Sequence, residues 1–87
     1  MSTVELVGGL VCEHDEQVRI VRRHLPRYIE LTRAEPGYLH FDVEQTVDPL
    51  VWTVSETFVS QAAFDAHHAR VGAGDWGRAT AGIKRDL

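Results

Sequence analysis

Apolar residues recur along this chain with two different periods, and the changes between them divide it into elements. Val4 to Cys12 is β-branched and apolar on both parities, the pattern of a strand covered on both faces. Gly8-Gly9 in its middle predicts a bulge or a close backbone approach, the bulge being preferred. From Asp15, a residue able to cap a helix, Val18, Val21, Leu25, Tyr28, Ile29 and Thr32 return at spacings of three and four, while Arg19, Arg22, Arg23 and Glu30 fall off the stripe. A first helix running to about Arg33 follows. Pro26 has no N–H for the Arg22 carbonyl, which predicts a kink or a split there.

Pro36-Gly37 stops that helix and suits the two central positions of a type II turn. Tyr38 to Thr46 then alternates, with Leu39, Phe41, Val43 and Gln45 on one face and Tyr38, His40, Asp42 and Glu44 on the other. Asp48-Pro49 turns the chain into Leu50 to Phe58, where Leu50, Trp52, Val54, Glu56 and Phe58 share a parity. These two strands predict a hairpin. Ser60 is a good cap for a second helix ending near Val71-Gly72, with Val59 and Phe64 spaced as a hydrophobic staple. A short helical piece over Asp75 to Ala81 and a last strand over Ile83 to Leu87 complete the chain.

Strand, helix, strand, strand, helix, strand predicts an α+β fold, the ferredoxin-like βαββαβ arrangement with an antiparallel sheet, as one domain over residues 1–87. Its helices cover one sheet face. The other face, expected to carry its share of Val, Leu, Trp and Tyr, calls for a second copy packed against it.

Composition narrows the function classes. With 44% hydrophobic and 25% charged residues the chain is an ordinary globular sequence, which excludes disorder and low complexity. Nine Lys plus Arg against thirteen Asp plus Glu give a net charge of -4, the wrong sign for nucleic acid. No apolar run approaches the roughly 20 residues that cross a bilayer, and the start lacks a basic region and a cleavage site. Membrane partners are not expected. Cys12 is the single cysteine, so no internal disulfide forms and a cytoplasmic location is expected.

Three segments carry a resemblance. Glu35-Pro36-Gly37, a strand, Asp48-Pro49, and then Glu56-Thr57-Phe58-Val59-Ser60-Gln61-Ala62-Ala63-Phe64-Asp65-Ala66-His67 resemble the antibiotic biosynthesis monooxygenase family, whose pattern runs E-P-G, strand, D-P, E-x-[WF]-x-[ST]-x-x-A-[FL]-x-x-H. The resemblance covers roughly Val4 to Arg85. It implies a homodimeric α/β barrel of two ferredoxin-like units, each with a pocket between sheet and helices. It also implies oxidation of a quinol- or anthrone-type aromatic by O2 without metal or flavin. An isomerase of the same fold, or a catalytically silent binding module, are the alternatives.

That chemistry needs a base and a dry pocket. His67 matches the family's histidine and is the first candidate for the base, with His40 as the alternative. Glu56, inward on an apolar parity, reads as a buried acceptor that needs a partner. Trp52, Trp76, Tyr38 and Tyr28 are candidates to stack on a planar substrate, Trp76 from a segment, Gly72 to Gly77, that reads as a flap over the pocket mouth. Gly72-Ala73-Gly74-Asp75-Trp76-Gly77 also spells G-x-G-x-x-G, but it follows a helix, so a dinucleotide site is not expected. His67 and His68 are adjacent and point about 100° apart on a helix, so no metal site is expected either. The sequence holds no Asn, which argues against the heme-degrading members of the superfamily.

Overall fold

The computed structural model describes residues 2–86, so Leu87 of the expected last strand lies outside the described residues. The elements are β1 (Val4–Val11), α1 (Asp15–Arg33), β2 (Tyr38–Gln45), β3 (Val51–Phe58), α2 (Gln61–Ala73), α3 (Asp75–Ala79) and β4 (Lys84–Asp86). They form one sheet in the order β2-β3-β1-β4, with every neighbouring pair antiparallel. The expected ferredoxin-like order is therefore present. Val18, Val21 and Tyr28 of α1 and Trp76 of α3 pack with Leu10, Phe41, Val43, Trp52 and Ile83 to make the core.

Several local expectations need correction. α1 runs unbroken through Pro26 for 19 residues. It is capped from His14 and not from Asp15, with no side-chain cap bond; the Gln17 side chain instead accepts from the Glu13 N–H at 2.7 Å. Asp15 and Glu16 occupy its first turn, where the positive end of the helix favours them. Ser60 does cap α2, accepting from the Ala63 N–H at 3.2 Å.

Gly8 and Gly9 make no bulge, since they stay in register with Val54 and Thr53. Gly9 is needed for closeness: a Cβ there would lie 2.7 Å from the Trp52 carbonyl oxygen. The bulge falls in β2, where Tyr38 pairs with Phe58 and His40 with Thr57, leaving Leu39 extra. Leu39 is consequently 50% exposed, while Phe41 and Val43 beyond the irregularity stay buried.

The uncovered sheet face is also less oily than expected. Directly opposed residues share a face, so Trp52 lies with Leu10 on the helix side, where it is buried. Tyr38 packs against the same core. What remains outside is Val7, Val11 and Val51 among Thr53, Ser55 and Thr57, with His40, Asp42 and Glu44 along β2.

Gly37 adopts φ 86°, the left-handed value a type II turn requires. A Cβ on it would meet the Ala63 Cβ at 2.7 Å. Gly37→Ala is expected to cost at least the roughly 1–2 kcal/mol of left-handed strain, read as a lower midpoint in chemical denaturation. An unchanged midpoint would contradict this account of the turn.

Candidate functional site

A carboxylate taken out of water costs several kcal/mol unless it is paired, and the site is organised around one. Glu56 lies on β3 between Leu6 of β1 and Phe41 of β2 and is 2% exposed. α2 delivers its two partners. His68 Nε2 is 2.7 Å from Glu56 Oε1, and His67 Nε2 is 3.7 Å from Oε2. The His67 ring is enclosed by Phe58, Phe41 and Tyr28, with the Phe58 centroid 4.9 Å away.

A second carboxylate holds His67 from behind. Glu35, the residue before Pro36-Gly37, has its Oε1 2.6 Å from His67 Nδ1, and its Oε2 accepts from Arg70 Nε at 2.6 Å. Arg70 also donates to Thr32 Oγ1 at 3.4 Å. Partial burial pushes the Glu35 carboxyl up, but hydrogen bonds from Arg70 and His67 outweigh it, and the net displacement is below the usual glutamate value. The hydrogen bond to Glu56 lifts His68 above the usual histidine value, against a smaller opposing effect of burial.

Beside this cluster, between sheet and helices, lies a cavity of about 190 Å3. Leu6, Leu10 and Val54 form its floor, and Gly8, on the same face between the two leucines, adds no side chain to fill it. Tyr28 and Trp76 form an aromatic wall, their rings stacked at 4.2 Å and 15°. Burial, with the charge of Glu56 adding to it, pushes the Tyr28 phenol well up, so it stays a hydrogen-bond donor. Polar groups enter from Glu56, His68 and Arg85. Arg85 donates to the Thr80 and Ile83 carbonyls at 2.5 and 2.7 Å and to Thr80 Oγ1 at 2.7 Å, with no carboxylate partner among the described residues. The cavity thus holds a guanidinium that makes no direct ion pair among the described residues.

Of the residues expected from sequence, Tyr28 and Trp76 line this cavity. Trp76 is no flap, being 7% exposed and stacked in the core. The structure moves the other candidates away. His67 is fully enclosed and sits behind the cavity wall. His40 lies on the uncovered face beside Asp42, at 3.1 Å. Trp52 is buried with its indole Nε1 unpartnered, and Tyr38 packs on the core outside the cavity. Sequence reasoning missed His68 and Arg85 as cavity residues, and Glu35 as the partner of His67. Adjacent histidines diverge on a helix, but a two-oxygen carboxylate is wide enough to face both.

The model of the antibiotic biosynthesis monooxygenase family matches residues 14–78, three quarters of the chain. The chain belongs to that family. No curated protein matches it. Among solved structures it is similar to a Nitrosomonas europaea protein provisionally assigned as an antibiotic biosynthesis monooxygenase, with TM-score 0.81 and 19% identity over 97% of this chain and 83% of the other. A Pseudomonas aeruginosa protein gives 0.77 and 22% over 99% and 92% of the two chains. A Mycobacterium tuberculosis protein gives 0.72 and 22% over 97% and 90%. At these identities the likeness establishes the fold. Among the described residues no helix is long and apolar enough to cross a membrane.

The His68–Glu56 pair makes a pH prediction. Because the folded state raises the His68 value, the pair stabilises fully below the ordinary histidine value of about 6.5 and loses that contribution as pH rises through the folded value. The difference in melting temperature between the parent and His68→Gln is expected to shrink as pH is raised through neutrality. A difference constant with pH would reject the pairing.

Proposed function

We propose that this domain is a cofactor-independent monooxygenase that oxidises a quinol- or anthrone-type aromatic with O2. The supporting observation is the cavity, which sets a histidine–carboxylate pair and an arginine bonded, among the described residues, only to Thr80 and Ile83 around an apolar space with an aromatic wall. A planar ring fits between the Tyr28–Trp76 wall and the Leu6–Leu10–Val54 floor. His68, in its unprotonated form, takes the acidic proton of the substrate, with Glu56 steadying the imidazolium that results. Arg85 holds the anion so formed, and the low polarity of the floor keeps that attraction strong.

An electron-rich anion of this type passes an electron to O2 unaided. Recombination gives a peroxide, whose O–O bond breaks to leave one oxygen on the ring carbon and release the other as water. An anthrone and O2 thus give the quinone and water. His67, the base expected from sequence, acts in this reading as a positioning residue that fixes α2 against Glu35 and Glu56.

The functional unit we propose is a homodimer, with the uncovered faces opposed and Val7, Val11 and Val51 meeting across the seam. Sedimentation equilibrium is expected to return twice the chain mass of 9.8 kDa. A single-chain mass would remove the dimer.

Oxygen consumption with an anthrone or menadiol tests the reaction. His68→Ala is expected to lower kcat by about 10²–10⁴-fold, and Arg85→Ala to act mainly by raising KM. Absence of O2 uptake with every electron-rich aromatic would leave a binding module, and turnover without O2 uptake an isomerase.

A further inference from the structure

The oxygenase reading leaves a buried ring nitrogen of the cluster unused. His67 Nε2 has no hydrogen-bond partner although its side chain is fully enclosed. Its Nδ1 faces Glu35 Oε1 at 2.6 Å, and the other Glu35 oxygen accepts from Arg70 Nε at 2.6 Å, so Nε2 is the ring nitrogen left to act as a ligand. That nitrogen faces Glu56 Oε2, 3.7 Å away, a second atom of ligand type. Two such atoms, too far apart for a hydrogen bond, have the separation of neighbouring ligands around one cation. His68 Nε2 completes the set, and one ligand atom from each of Glu56, His67 and His68 lies within 4.8 Å of the others.

We propose that Glu56, His67 and His68 form a binding site for a first-row divalent metal ion of the Zn2+ or Co2+ class. Two imidazoles and a carboxylate are the ligand types such ions select, at bonds of about 2.0–2.2 Å. The surroundings have the form of a metal site's outer layer. A ligating histidine commonly gives its other N–H to a carboxylate that is itself held, as Glu35 is by Arg70. Entry is open, because Glu56 and His68 both line the cavity and the His68 side chain is 45% exposed. Tyr28 and Arg85 line the same cavity, from which an ion would enter. Binding displaces the proton shared by His68 and Glu56 into solvent. The proposal stands apart from the oxygenase reading: a bound ion occupies the pair that would take the substrate proton.

Metal-free protein is titrated with cobalt(II) chloride and followed by calorimetry and by the visible spectrum. The expected result is saturation at one Co2+ per chain, a visible band of four- or five-coordinate Co2+, and displacement by Zn2+. His68→Ala is expected to weaken binding by tenfold or more, and Glu35→Gln, through the outer layer, by about 10–100-fold. His14→Ala, at the exposed start of α1, leaves binding unchanged. Circular dichroism verifies the fold of each variant, and the half-exposed His68→Ala decides the matter if Glu35→Gln does not fold. No saturable binding, or equal binding by His68→Ala and the parent, overturns the proposal. Oxygen uptake is not read, so the fate of the oxygenase reading leaves this result untouched.

Discussion

The structure depends on a carboxylate that the sheet takes out of water. Glu56 cannot stay charged among Leu6, Phe41 and Phe58 without donors, and α2 is the element that brings them. That requirement fixes more than one contact. Once His68 meets one oxygen and His67 faces the other, the rotation of α2 about its axis is set. Glu35 and Arg70 then tie the same helix to the turn after α1. Apolar packing alone leaves neighbouring helix orientations close in energy, whereas a buried ionic network penalises every orientation but one.

Much of the fold was legible because two periods carry it. The order of elements, the inward residues of β3 and the stripe of α1 follow from spacing. Irregularities were not legible. Gly8-Gly9 looked like the bulge, but Leu39 takes it, since the cost of an extra residue depends on the partner strand, which no single segment reveals. In the site, Glu56 was visible as a polar residue on an apolar parity. His68 and Arg85 were not: one stands beside a stronger candidate on its helix, and the other lies on a strand of three residues without any pattern.

The stacked Tyr28 and Trp76 rings have a second side. A hollow of about 210 Å3 lies there between α1, α2 and α3, and Tyr28, Val71 and Trp76 border both spaces. The two differ in what borders them. His24, Arg27 and Arg70 edge the outer hollow, while the inner one is floored by Leu6, Leu10 and Val54. The aromatic pair therefore forms a wall that the two hollows share.

The link from Glu35 to α2 bears on how the chain tolerates changes in length. The β2–β3 hairpin tip is free of such ties, and Val47 there is fully exposed, so added residues would extend into water. The short segment between Arg33 and Tyr38 has no such slack. One residue gained there would draw the carboxylate off the imidazole while every strand stayed paired, detaching the histidine cluster from an otherwise intact scaffold.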